Sequence, residues 1–286
     1  MVEIKIGGVP EHFNLPWLRL AESGALDDLG ATWRDVPEGS GAMAAALRAG
    51  ELDVAMLLTE GAVAGAAQGG FKIVSLYTVS PLIWGIHVPA GSDLRSIEEV
   101  RGRRYAISRR GSGSHLMSFV HAREQGWPTD DLDFVVVGTL QGAIDAFASG
   151  QADVFFWEKF MTKPLVDSGR FRRVGEFVAP WPAFVVCASD AALAQHKPIG
   201  AALSRALDAA AELASSPGSA AAIARRYGLE LGDAREWLAS TRWAPSPVIR
   251  VEHLAPAVAH LAALGLIGAD VAPLGLMSVP PRAGVR

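Results

Sequence analysis

Apolar positions recur along this chain with two alternating periods. The opening VEIKIGG alternates apolar and polar residues and ends in glycines, the pattern of a half-buried strand. LPWLRLAESGAL spaces its apolar residues at helical intervals up to Gly24. ATWRDVP predicts a strand running into a turn. GSGAMAAALRAGEL predicts an alanine-rich helix ending near Gly50, and DVAMLLT a buried strand. The order is βαβαβ with short connections, which predicts a parallel sheet with helices on its faces.

The pattern then returns. RRYAIS reads as a strand, GSHLMSFVHAREQG as a helix ending at Gly126, LDFVVVG as a strand, LQGAIDAFASGQA as a helix and DVFFWE as a strand. GAMAAALRAGELDVAML closes its helix at Gly50 and opens its strand at Asp53-Val54, and QGAIDAFASGQADVFFW does the same at Gly150 and Asp153-Val154. Glycine is the usual helix stop, so one such turn means little. Matching context on both sides predicts two similar α/β domains.

Between the halves lies SLYTVSPLIWGIHVPAGSDL, and after the second comes GEFVAPWPAFVVCASDAAL, both apolar, strand-like and punctuated by Pro or Gly. They predict a discontinuous architecture in which the chain builds one lobe, crosses over, builds the second and crosses back. The expected boundaries are 1–86 for the first part of lobe 1, 87–180 for lobe 2, 181–272 for a helical return to lobe 1, and 273–286 for a Pro-rich tail with a disordered end.

A formal net charge of -4 gives no general reason to expect nucleic acid or an anionic membrane as partner. The local cluster Arg101, Arg103, Arg104, Arg109 and Arg110 reads as a solvated surface. Cys187 is the only cysteine, which excludes an intrachain disulfide and a multi-cysteine zinc site. MVEIKIGGVPEHF has no basic start, apolar core or small-residue cleavage site. As written, it predicts a cytoplasmic protein, or a periplasmic one if Met1 was added to a mature start. No apolar run is long enough to cross a bilayer. HExxH, GxSxG and P-loop signatures are missing, and no cofactor or metal site is expected.

Two α/β lobes with two crossovers and a helical return resemble the type 2 periplasmic-binding-protein fold. LRAGELDVAML and GDAREWLAST are similar to the sulfonate/nitrate/thiamine-pyrimidine substrate-binding branch. GGVPEHFNLPW, with no signal peptide before it, is similar to an intracellular subgroup of that branch with no settled ligand. The Cys-rich motif of the thiamine-pyrimidine synthases is missing, so their chemistry does not carry over. The resemblance implies a ligand cleft between the lobes, hinge closure about 85–90 and 179–184, and an ABC permease or enzyme partner. Oligomeric state is not readable.

Within that frame GSGSH, residues 111–115, stands where a strand hands over to a helix. Unpaired N–H groups and the helix dipole favour an anion there. Ser112, Gly113, Ser114 and His115 are therefore expected to bind a ligand's polar head, although a plain serine cap would look similar. Ser114→Ala with His115→Ala should weaken binding without unfolding the chain. Glu11, His12 and Asn14 follow the first strand, where His12 reads equally as ligand contact or turn residue and Trp17 reads as core. Thr59 and Glu60, and Trp157 and Glu158, end matching strands; a surface pair between Glu158 and Lys159 is the plainer alternative. Ser80, Trp84 and Trp181 sit at the crossovers. The expected function is binding of a small anionic or aromatic molecule. The alternative is a cytoplasmic enzyme on the same fold, with His12, Glu60 and His115 as acid/base candidates. A sensor domain acting through a partner ranks third.

Overall fold

The structure, a computed structural model, describes residues 3–278. The chain divides into two compact units: unit 1 is Met1–Ser80 with Trp181–Arg286, and unit 2 is Pro81–Pro180. Unit 1 opens with β1 (Ile4–Gly8), α1 (Leu15–Glu22), β2 (Ala31–Asp35), α2 (Ser40–Ala49), β3 (Val54–Leu58) and α3 (Thr59–Ala66). The long strand β4 (Phe71–Pro89) leaves it. Unit 2 adds β5 (Arg104–Ile107), α4 (Gly113–Glu124), β6 (Asp133–Val136), α5 (Leu140–Ala148), β7 (Val154–Glu158) and α6 (Lys163–Asp167). A second long strand, β8 (Phe171–Ser189), returns. The helical series α7 (Asp190–Ala194), α8 (Ile199–Ser215), α9 (Ser219–Tyr227), α10 (Leu231–Ser240) and α11 (Val251–Ala263) completes unit 1.

The expected parallel βαβ cores are present. In unit 1, β1 pairs in parallel with β2 and β3. In unit 2, β5 pairs in parallel with β6 and β7. The two long strands add what the local pattern did not announce: β8 lies antiparallel to β3, and β4 antiparallel to β7. Each parallel core is therefore flanked by an antiparallel strand, which makes the sheet mixed.

The internal repeat has a structural basis. Gly50 and Gly150 end α2 and α5 with φ of 72° and 66°, in the left-handed region that glycine enters without a Cβ clash. Asp53 then donates its N–H to the Lys5 carbonyl (2.8 Å), and its Oδ2 accepts the N–H of the same Lys5 (2.8 Å). Asp153 does the same with Arg104, at 2.9 Å and 3.0 Å. Each aspartate thus clamps the first residue pair of a parallel ladder. Their outer partners differ: Lys197 Nζ meets Asp53 Oδ1 at 2.8 Å, and Arg104 grips Asp153 with both arms of its fork. Asp53→Ala leaves the Lys5 N–H without its acceptor and is expected to cost about 1–3 kcal/mol. Asp153→Ala should cost less, since its side chain is 30% exposed against 9% for Asp53 and water replaces the lost acceptor. Urea unfolding of the two variants checks the order, and equal losses would count against it.

Leu276 is buried, and the Ser278 N–H donates to the Ile73 carbonyl (3.0 Å), so the start of the Pro-rich segment is pinned to unit 1. The expected disorder at the tail's end, and the question of the native start at Met1, fall on residues outside those described. Among the described residues, no helix is long and apolar enough to cross a membrane.

Candidate functional site

In unit 2 the chain leaves β5, turns through Gly111 at φ 79°, and starts α4 at Gly113. The first helical hydrogen bond runs from the Leu116 N–H to the Ser112 carbonyl (2.9 Å). The N–H groups of Gly113, Ser114 and His115 therefore stand ahead of the ladder, with the positive end of the helix dipole behind them. The serines do something other than expected. Ser114 Oγ accepts the Ser108 N–H (3.1 Å), Ser112 Oγ accepts the Arg109 N–H (3.4 Å), and the two hydroxyls share a hydrogen at 3.1 Å. They fold the loop first, and one hydroxyl hydrogen remains after their mutual bond.

His115 is 7% exposed. Its Nδ1 accepts the Gly111 N–H at 3.1 Å, so in the neutral ring the proton sits on Nε2. Nε2 has no hydrogen-bond partner among the described residues. Burial, with the nearby Arg110 charge, holds the imidazole down at about 4. Phe119 and Phe134 wall the ring at 5.1 and 4.7 Å, and the Arg110 guanidinium lies 5.4 Å over Phe134. A fixed, neutral N–H donor therefore sits one turn inside a helix N-terminus.

The rest of unit 2's candidates are more committed to packing. Trp157 is stacked on Phe155 at 5.1 Å and packs on the cluster of Ala146, Phe147 and Phe171, so its ring serves the core, where strand ending alone had suggested a ligand contact. Trp84 is 3% exposed and pairs in register with Glu158. Glu158 Oε2 accepts the N–H groups of Phe160 (2.9 Å) and Met161 (2.7 Å), fixing the turn after β7. Lys159 Nζ also lies 3.2 Å from Glu176 Oε1.

In unit 1, Thr59 and Glu60 open α3. Thr59 Oγ1 donates to the Pro182 carbonyl (2.5 Å). Glu60 is 1% exposed; its Oε2 accepts the Trp181 indole N–H at 2.8 Å, and its Oε1 has no partner among the described residues. Burial pushes this carboxyl up to about 7, against the opposing pull of its own backbone N–H and Trp181. The His260 ring meets Trp181 edge-on at 5.6 Å.

The loop after β1 forms a single 3-10 turn, His12–Asn14. Asn14 Nδ2 donates to the Val9 carbonyl (2.8 Å), while Tyr77 Oη (2.9 Å) and Trp243 Nε1 (3.1 Å) both donate to the Phe13 carbonyl. His12 lies flat on Trp237, centroids 4.2 Å apart and planes 10° apart, with Tyr227 at 5.6 Å. Burial holds His12 down at about 3 and pushes half-buried Glu11 up to about 7. Trp17 is wholly buried, as its core reading predicts. Ser80 spends its hydroxyl accepting the Arg242 N–H (3.0 Å).

Of the acid/base candidates, unit 1 holds His12 and Glu60 and unit 2 holds His115. Tyr77, Tyr227, Trp237, Trp243 and His260 were missed. All but Tyr77 come from the helical return, Tyr227, Trp237 and His260 on its helices and Trp243 on the segment between α10 and α11, where sequence marks them only as aromatic or titratable residues. Among the described residues, no three His, Cys, Asp or Glu side chains gather as a metal site. Cys187 is buried in β8, and burial raises its thiol.

Residues 84–177 match the model of the Ca3427-like PBP family. Among solved structures, the chain is similar to the Candida albicans CA3427 gene product, which defines a family with the generic periplasmic binding protein fold. The TM-score is 0.87 at 22% identity, covering 100% of this chain and 99% of that one. It is similar to the alkanesulfonate-binding protein SsuA from Xanthomonas axonopodis pv. citri, bound to MOPS, with TM-score 0.81, 20% identity and coverage of 98% and 99%. The periplasmic aliphatic sulphonate binding protein SsuA from Escherichia coli gives TM-score 0.72 at 18% identity, with coverage of 99% and 94%. No curated protein matches the chain.

Proposed function

We propose that this chain, which has the type 2 periplasmic-binding-protein fold, binds a small anionic molecule through the N-terminus of α4, in a substrate-binding role. One observation carries the reading. His115 Nε2 is a buried donor with no partner among the described residues, held in its tautomer by the Gly111 N–H beside three leading backbone N–H groups. A buried donor left unmade costs about 1–3 kcal/mol, so an acceptor supplied by a ligand accounts for its retention. The sulfonate-binding neighbours support an oxyanion head, and sulfonates are the first class to try. Glu60, Trp181, Glu11 and His12 are the candidate groups of unit 1. Closure of the two units on the ligand, and delivery to an ABC permease, belong to this reading.

Thermal-shift titration with C1–C4 alkanesulfonates tests it. A ligand at 100 times its dissociation constant adds about 2.7 kcal/mol, which for a chain of this size moves the midpoint by about 5–10 °C. His115→Ala should then weaken binding about 10-fold or more, the worth of a hydrogen bond to a charged group. Ser114→Ala is the less direct probe, because its hydroxyl also braces Ser108. Unchanged affinity in His115→Ala removes the α4 site. A drop in radius of gyration with ligand checks closure. Recovery of the ligand unchanged separates a binding protein from an enzyme recruited on the fold.

A further inference from the structure

β6 (Asp133–Val136) pairs with β5 and stands last in the strand order, with no strand beyond it among the described residues. Its one charged residue is Asp133, at its start; Phe134, Val135, Val136 and Val137 follow. An exposed edge is usually guarded by lysine, proline, a bulge or added charge, because its free N–H and C=O groups template pairing with another chain. The opposite edge carries such a guard: β2 ends in Arg34 and Asp35, and Arg34 reaches Glu51 at 3.6 Å. β6 instead leaves Val136 59% exposed. Its backbone fixes which groups point away from β5. The Val137 N–H donates inward to the Ile107 carbonyl (2.8 Å), and residues alternate along a strand, so Phe134 and Val136 turn their N–H and C=O groups outward. The Phe134 ring lies 4.7 Å from His115 of α4, while Val135 packs with the α5 cluster, so Val136 shares the α4 face with Phe134. The two ends of the edge differ in charge. Asp130, Asp131 and Asp133 are exposed at its start, where Arg104 is gripped by Asp153. Arg109 and Arg110 follow β5 at its finish, and the Arg110 guanidinium lies 5.4 Å over Phe134.

We propose that two copies of the chain pair through β6, antiparallel, about a two-fold axis that passes through Val135. In that register Phe134 of each copy stands opposite Val136 of the other. The outward N–H and C=O groups then exchange hydrogen bonds in both pairs. On the α4 face an aromatic ring meets a β-branched side chain twice, a favourable cross-strand pair. The axis stands perpendicular to the sheet, so each face continues into the same face of the other copy. Antiparallel pairing sets the acidic end of each copy beside the basic end of the other, whereas parallel pairing would set like charges together. The edge is thus complementary to itself in backbone, side chains and charge, which selects a second copy as its occupant. A strand of four residues buries little area, so the dimer is weak, with a dissociation constant on the order of 10 μM. This surface is independent of the anion-binding reading.

Sedimentation velocity of the full chain, over a concentration series up to about 100 μM, tests it. The wild type should pass from monomer to dimer. Val136→Lys sets a cation against Arg110 of the other copy and should leave a monomer. The site is exposed, so the variant keeps its fold, which circular dichroism checks. Asp131→Arg and Arg110→Asp should each weaken pairing about 10-fold or more, since each sets like charges together at both ends. An equimolar mixture of these two variants should restore the dimer, because both contacts then join opposite charges. A wild type that stays monomeric throughout, or a dimer untouched by Val136→Lys, overturns the proposal. A mixture that pairs no better than either variant alone overturns the antiparallel arrangement and the proposal with it.

Discussion

Acidification from pH 7 to pH 5 is expected to lower the free energy of unfolding by about 3–4 kcal/mol. Four histidines drive it. Burial holds His12 at about 3 and His87, His115 and His121 at about 4, all below the ordinary 6.5. In this window the unfolded chain takes up protons that the folded one refuses, so stability falls as pH falls, by about 2 kcal/mol for each histidine. Glu11 and Glu60 act the other way. Their folded carboxyls, raised to about 7, bind protons that the unfolded chain does not, returning about 2 kcal/mol each. The histidines outnumber them, and the net sign follows. Urea titrations at pH 7, 6 and 5 measure it, and a stability that holds or rises on acidification refutes the balance. His121 offers a single-site check. Both its ring nitrogens lack partners among the described residues, and its walls are Trp127, Phe156 and Phe177 at 5.2–5.3 Å. His121→Phe should therefore stabilise the protein at pH 5 and flatten the slope.

Trp237→Ala is expected to cost about 3–5 kcal/mol, lowering the melting midpoint by about 6–20 °C. The indole is 1% exposed and its N–H makes no hydrogen bond among the described residues, so the loss is one of packing. It supports His12 face-on and meets Phe13 and Trp243 edge-on at 5.2 and 5.7 Å. The hole therefore opens directly under the 3-10 turn. Trp237→Phe should recover most of the stability. A loss below about 1 kcal/mol for the alanine variant would mean that the helical return does not hold this loop.

The sequence alone determined the two parallel βαβ cores. Their strands and helices announce themselves through local periodicity, and the Gly50/Asp53 and Gly150/Asp153 turns are local chemistry: a left-handed glycine, then an aspartate that clamps the neighbouring strand. It also located the α4 loop, since glycines and serines between a strand and a helix are a local signal. The tertiary structure decided which groups in these loops are spent and which are left over. Ser112 and Ser114 looked like donors but are turned into the loop, because Ser108 and Arg109 bring their N–H groups within reach. Glu60 looked like any charged residue after a strand, until Trp181, 121 residues away, took one of its oxygens and left the other. The aromatic bed under the His12–Asn14 turn comes from Tyr227 and Trp237 against His12 and Trp243 on the Phe13 carbonyl, all more than 200 residues downstream. No local period encodes such contacts. They arise when the chain returns to unit 1, and burial there, rather than residue type, sets the protonation of His12, Glu11 and Glu60.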